Sequence, residues 1–148
     1  MKIRQVLRQE RKFLLDIQQS ISLESKFSQI FRADDNNGDN GYMVRSLYFD
    51  TLDDKDFFEK LDGVEVRRKM RIRTYSPDSD FAFLEMKQKQ GSNQLKRSLK
   101  ISREDATMLA QGNYAPLCNY PEEFAAECYV VLTMQVYRPK VMIEYLRK

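Results

Sequence analysis

Charged residues, four of them basic, occupy every second position between Val64 and Tyr75, where the chain reads VEVRRKMRIRTY. Successive side chains of a β-strand point to opposite faces of the sheet. One face of such a strand would therefore be entirely charged: Glu65, Arg67, Lys69, Arg71 and Arg73. A face of this kind either faces water or lines a cavity whose ammonium and guanidinium groups bind the oxygens of an anion such as phosphate.

The residue types that are absent restrict the chemistry of such a site. The chain has no histidine and only two cysteines, Cys118 and Cys128, which excludes a zinc site with four nitrogen and sulfur ligands. Catalysis by a histidine base is excluded for the same reason. The five glycines fit neither a Walker loop nor a dinucleotide-binding fingerprint. Any phosphate must be held by side chains, and any metal must be a hard ion with oxygen ligands.

Length and composition favour a single domain. The 148 residues, of which 42% are hydrophobic, can form one core. The N-terminus is charged and no apolar run approaches the roughly 18 residues of a membrane span. This predicts a soluble cytoplasmic protein with no membrane span and with free thiols. A net charge of +3, from 25 basic and 22 acidic residues, argues against a protein that coats nucleic acid.

The N-terminal part of the chain predicts one strand, one helix and one loop. A strand from Arg4 to Ile17 would place Arg8, Glu10 and Lys12 on a common face. A helix from Ile17 to Arg32, capped by Ser22 or Ser25, has an apolar stripe that we expect to pack against the sheet. The acidic segment 34–41 does not fit the register of a calcium loop and predicts a flexible loop.

The remaining segments alternate between strands and helices. Strands are predicted at 43–51, 81–89, 94–101 and 140–148, and helices after Thr51, after the Ser102 cap and from Pro121 to about Gln135. Glu85, Lys87 and Lys89 share one face of their strand. On the strand at 94–101, either Lys96 or Arg97 points inward, and the spacing does not decide which.

These elements predict an α+β fold with an antiparallel sheet. If the charged faces of about six strands curl inward, they form an incomplete antiparallel β-tunnel with helices packed outside. The interior would hold cations and carboxylates. It would suit a linear polyanion such as a triphosphate, together with the divalent ion that shields it.

Five short segments resemble the VTC domain of polyphosphate polymerases, which lies within the triphosphate tunnel metalloenzyme superfamily. They are RQERKF (8–13), SLYFDT (46–51), RIR (71–73), EMK (85–87) and YLR (145–147). They occur in this order across essentially the whole chain. The resemblance implies a tunnel enzyme that transfers the γ-phosphate of ATP to a polyphosphate chain with manganese or magnesium.

By this resemblance, Arg71, Arg73 and Lys87 are the candidate catalytic residues. The substrate, ATP or another triphosphate together with polyphosphate, would be bound by these three residues and by Lys12, Arg147, Tyr145 and Glu10. Glu85 is the candidate metal ligand.

The family domain continues beyond the strand at 140–148, with further strands and a metal-binding glutamate. We therefore expect residues 1–148 to be a single domain without these C-terminal strands, a fragment whose tunnel wall is incomplete. Two alternatives remain open. One is a non-catalytic module that binds polyphosphate or nucleotide, and the other is an RNA-binding sheet, which would carry aromatic residues among the basic ones. The residues do not distinguish ATP from other triphosphates.

Overall fold

The computed structural model describes residues 3–9, 11–32 and 41–147 of the chain. Six strands form one antiparallel sheet: β1 (Arg4–Gln9), β2 (Tyr42–Asp50), β3 (Val66–Thr74), β4 (Phe81–Gln90), β5 (Asn93–Ser102) and β6 (Arg138–Arg147). Their order in the sheet is β1-β5-β4-β3-β2-β6. Within the described ranges β1 and β6 are the two edges and the sheet does not close, which confirms the predicted incomplete six-stranded α+β architecture.

Four α-helices and one short 3₁₀-helix accompany the sheet: α1 (Ile17–Ser28), α2 (Lys55–Leu61), α3 (Arg103–Ala110), the 3₁₀-helix (Ala115–Asn119) and α4 (Glu123–Met134). The Ser102 hydroxyl accepts a hydrogen bond from the backbone N–H of Asp105, as the predicted cap of α3 requires. Among the described residues, no helix is both long and apolar enough to cross a membrane.

The hydrophobic core lies on one face of the sheet. Alternate side chains of the three central strands point into it, among them Met70 on β3, Leu84 on β4 and Leu99 on β5, each fully buried. The helices α3 and α4 cover this face with Leu109 and Phe124. The helices α3 and α4 thus pack on one side of the sheet, and the charged side chains lie on the opposite face.

The N-terminal segment differs from the prediction in two ways. The strand expected to reach Ile17 ends at Gln9, and α1 is capped by Asp16 rather than by Ser22 or Ser25. The Asp16 carboxylate accepts the backbone N–H of Gln19, and the Gln19 side chain accepts the backbone N–H of Asp16. This reciprocal capping box fixes the helix start.

The expected packing of α1 is also wrong, because none of its residues is buried. Within its apolar stripe, Ile21 and Phe27 are at least half exposed. The predicted loop at 34–41 lies, apart from Gly41, outside the described residues.

A buried carboxyl group joins α2 to the start of β6. The Tyr137 hydroxyl donates a 2.8 Å hydrogen bond to Oδ1 of Asp56, and both residues are buried. Oδ2 of Asp56 is buried without a hydrogen-bond partner. Burial raises the pKa of Asp56 from 3.8 to about 6, although the bond from Tyr137 opposes the shift.

We expect Asp56→Asn to flatten part of the dependence of stability on pH. The folded pKa of Asp56 exceeds the unfolded one, so its stabilising contribution is full below pH 3.8 and is lost as pH rises through about 6. The introduced amide keeps an acceptor for the Tyr137 hydroxyl and carries no charge. The variant should be more stable than the wild type at pH 7.5 by on the order of 2 kcal/mol, measured by urea unfolding.

The advantage of Asp56→Asn should shrink on lowering the pH to 4. Asp78→Asn, in an exposed turn, is the matched control and should leave the profile unchanged. Parallel unfolding profiles for Asp56→Asn and the wild type would contradict the assignment.

Candidate functional site

The sheet face opposite the core carries charged side chains in successive rows across the strands. In one row, Arg71 on β3 lies between Tyr48 on β2 and Glu85 on β4. The neighbouring row, which we call the lysine row, contains Lys69, Lys87 and Lys96 on three adjacent strands. Since adjacent strands are about 4.8 Å apart, these rows concentrate positive charge on one surface.

The residues of these rows other than Lys96 line a cavity of about 850 Å³, called the basic cavity below. It brings together every described residue that the sequence proposed for the site: Lys12, Arg71, Arg73, Glu85, Lys87, Tyr145 and Arg147. The remaining candidate, Glu10, lies outside the described residues. The candidates come from the segment after β1 and from the strands β3, β4 and β6, so the curvature of the sheet makes one site of residues that are far apart in sequence.

The charge of the basic cavity is strongly unbalanced. Among the described residues that line it, twelve are lysine or arginine and one, Glu85, is acidic. Burying many like charges without a partner is costly, so the cavity must be wet or occupied by anions. A linear polyanion satisfies this requirement with the fewest ligand molecules.

Glu85 is the electrostatic centre of the site. It is 2% exposed, and its Oε2 accepts hydrogen bonds from Nε and Nη2 of Arg71 at 2.7 and 2.6 Å. Its Oε1 forms an ion pair with the ammonium of Lys96 and accepts a 3.3 Å hydrogen bond from the Ser98 hydroxyl. Both oxygens are therefore already engaged by the protein's own donors.

The pKa values in this cluster follow from competition between burial and charge. Burial alone raises the pKa of Glu85, but the charges and hydrogen bonds of Arg71 and Lys96 outweigh it and hold the pKa below its ordinary value. Burial, and then the nearby charge of Lys60, lowers the pKa of Lys69. An anion bound beside Lys69 would oppose this lowering of its pKa, because a nearby negative charge favours the ammonium form.

Polar side chains of β2 hold the two arginines in place. Nη1 of Arg71 donates a 2.9 Å hydrogen bond to the Tyr48 hydroxyl, and Nε of Arg73 donates a 3.0 Å bond to the Ser46 hydroxyl. Both guanidinium groups are thus oriented before any ligand arrives. Fixed forks of this kind suit bidentate contacts with phosphate.

The structure decides which basic residue of β5 faces the cavity side of the sheet. Lys96 shares the face of Glu85, whereas Arg97 points to the other face and pairs with Glu127 of α4 at 2.5 and 2.6 Å. The guanidinium of Arg97 also lies 4.8 Å from the ring centroid of Phe124 in the core. Arg97 therefore fastens α4 to the sheet, and Lys96 belongs to the site.

Among the residues of the Arg71 row and the lysine row, Lys69, Lys96 and Tyr48 were not assigned a catalytic, binding or metal role from sequence. Lys69 was on the predicted charged face, so alternation alone could have identified it. Lys96 and Tyr48 required the cross-strand register, which places Tyr48 opposite Arg71 and Lys96 opposite Lys87. No local sequence pattern carries that information.

The described residues do not form a metal site. They contain no group of three or more carboxylate, cysteine or histidine side chains that could hold an ion. Glu85, the candidate ligand, has both oxygens occupied by Arg71, Lys96 and Ser98. Its observed role is to neutralise and orient cations.

The fold and the sequence both have known counterparts. The VTC domain family matches residues 7–148. A crystal structure of a proposed adenylate cyclase from Bacillus halodurans aligns with a TM-score of 0.52 at 14% sequence identity, which shows a shared fold. The alignment covers 97% of this chain but only 63% of that protein. No curated protein matches the sequence significantly.

We expect Glu85→Gln to destabilise the protein by about 2 kcal/mol in a buffer without multivalent anions, because two partly buried cations lose their counter-charge. Tripolyphosphate should restore most of this loss, since phosphate oxygens can replace the carboxylate. The measurement is thermal unfolding of both proteins with and without tripolyphosphate.

The matched control for this experiment is Glu144→Gln. Glu144 pairs with Arg45 on the exposed side of β6, and an exposed pair contributes less than about 1 kcal/mol. Equal destabilisation of both variants, or no added rescue of Glu85→Gln by the anion, would contradict the role given to Glu85.

Proposed function

The chain belongs to the VTC domain family, and from this premise we propose that it binds a triphosphate or polyphosphate in the basic cavity and transfers the γ-phosphate of ATP to a polyphosphate chain. The observation that supports this proposal best is that twelve basic residues and one carboxylate, counted among the described residues, line one cavity. The substrate of such a cavity must be highly anionic, extended and bound mainly through its phosphates.

The proposed roles follow from position. Arg71 and Arg73 lie two residues apart on β3, about 7 Å along the strand, and present oriented guanidinium forks to different phosphates of one chain. Lys69 and Lys87 add point charges one row further on. Lys12, Tyr145 and Arg147 approach from the two edges of the sheet and would hold the polymer or the acceptor phosphate.

Phosphoryl transfer needs this kind of site. The protein must hold donor and acceptor in line and neutralise the charge that spreads over the oxygens of the moving group. Preoriented arginines and lysines do both without a histidine base. Binding and alignment are therefore the two tasks that we assign to these residues.

The described residues supply no carboxylate cluster that could bind the family's divalent ion. We propose that manganese or magnesium enters as a complex with the triphosphate, and we assign no step of the reaction to protein-bound metal. The same observation supports a second candidate function, a module that binds polyphosphate or nucleotide without transferring phosphate.

An assay with ATP and manganese separates the two functions. If the chain is a transferase, it forms polyphosphate that resists nuclease digestion and yields inorganic phosphate on acid hydrolysis. If it is a binding module, calorimetry detects tripolyphosphate binding while no polymer forms. Absence of both polymer and binding would exclude both functions.

We expect Lys87→Met to weaken tripolyphosphate binding by about tenfold to a hundredfold, because it removes one charge-assisted contact with a phosphate. Met keeps most of the length of the lysine stem and adds no charge. Isothermal calorimetry at low ionic strength measures the effect, and the wild-type affinity should itself fall with added salt.

Arg103→Met on the exposed start of α3 is the matched control for Lys87→Met. It removes the same formal charge from the other side of the sheet, so it tests whether net charge alone matters. If both variants lose affinity equally, the basic cavity is not the binding site.

A further inference from the structure

Four aromatic rings form a continuous row at the end of the basic face where β3 finishes. Successive ring centroids along the row Tyr42, Tyr75, Phe83 and Phe81 are 5.9, 6.2 and 5.5 Å apart. These residues lie outside the hydrophobic core, and Tyr75 is 37% exposed. Packing within the core therefore does not account for this aromatic row on the charged face.

The aromatic row continues directly from the basic cavity. Phe83 lies opposite Arg73 in the sheet register, and Tyr42 lies opposite Arg147. Both of these arginines line the cavity. A ligand that leaves the cavity along β3 therefore reaches the aromatic row next.

The two ends of the aromatic row already have cations beside them. The ammonium of Lys100 lies 3.8 Å from the ring centroid of Phe81, and the guanidinium of Arg147 lies 6.0 Å from that of Tyr42. Tyr75, between Tyr42 and Phe83, is the most exposed ring. Its ring therefore has exposed surface on which another planar group can stack.

Residues two apart on one face of a strand are about 7 Å from each other, so Lys69, Arg71 and Arg73 form a regular series along β3. Tyr75 follows the last residue of β3 and continues this series by one step. A base stacked at Tyr75 would place its first phosphate near Arg73. The following phosphates would extend toward Arg71 and the lysine row. The order of these side chains matches the order of groups in a nucleoside triphosphate: base, then phosphates.

We propose that the aromatic row, centred on Tyr75, is the stacking site for the base of a nucleoside triphosphate whose phosphates occupy the basic cavity. This inference rests on the proposed function and adds a binding site for the base of the donor, so a nucleoside triphosphate should bind more tightly than inorganic tripolyphosphate. Purines should bind more tightly than pyrimidines because they stack over a larger area. Stacking reads the flat face of a base and not its edge, so ATP and GTP should bind alike.

Calorimetric titrations with ATP, UTP and inorganic tripolyphosphate, each with magnesium, test the proposal. We expect Tyr75→Leu to weaken ATP binding by roughly tenfold, the order of one lost stacking contact. Tripolyphosphate binding should be unchanged, and this also shows that the variant is folded. Tyr75→Phe, which keeps the ring, should bind ATP like the wild type.

Phe58→Leu is the matched control for Tyr75→Leu. Phe58 is an exposed ring on α2 outside both the cavity lining and the aromatic row, so its loss should affect neither ligand. If Tyr75→Leu weakens ATP and tripolyphosphate equally, or weakens neither, the stacking site is refuted while the proposed function stands. If the wild type binds no triphosphate at all, the proposed function fails as well.

Binding of a single-stranded oligonucleotide without a terminal phosphate tests the proposal further. Aromatic rings beside cations also bind single-stranded RNA. Tighter binding of this oligonucleotide than of ATP would overturn the proposal, because the rings would then serve a polymer of bases. Much weaker binding of the oligonucleotide than of ATP would support it.

Discussion

The buried carboxylate of Glu85 makes the rest of the site possible. The positive charges of many lysines and arginines on one sheet face repel each other, and this repulsion opposes folding. Glu85 neutralises Arg71 on its own row and Lys96 on the neighbouring row, and its low pKa keeps it charged. It is 2% exposed, so its attraction for the two cations is weakly screened. One acid at the centre thus lets a basic surface form without cancelling its charge.

The strand β2 adds orientation to this neutralisation. The hydroxyl groups of Tyr48 and Ser46 are neutral acceptors that face the two arginines on the adjacent strand. A guanidinium held by a hydroxyl keeps free donors for a ligand, whereas one paired with a second carboxylate would not. A site of this composition is rigid and still positive. Both properties favour rapid capture and alignment of a polyanion.

Alternation along single strands carried most of what could be predicted. It assigned Arg71, Arg73, Lys87 and Glu85 to one face, and the structure brings them to one cavity. Alternation does not predict which face a residue occupies where this depends on the pairing register of two strands. Lys96 and Arg97 look equivalent in sequence, and the register set by the turn at Gly91, with φ +57°, puts Lys96 beside Glu85. Likewise, the sequence pattern predicts a strand as far as Ile17, but the capping box at Asp16 starts a helix there.

Charged side chains are neutralised differently on the two faces of the sheet. This difference explains why only one face is suited to binding an anionic ligand. On the helix face, Arg97 lies against Glu127 and the ring of Phe124, so its partners come from the protein. On the open face, twelve basic side chains and one carboxylate, Glu85, line the cavity among the described residues, so the face keeps a large excess of positive charge. A cavity with an excess of positive charge binds most tightly a ligand that supplies several negative groups at fixed spacing. A phosphate chain does so, because each added phosphate brings further anionic oxygens without a bulky side group.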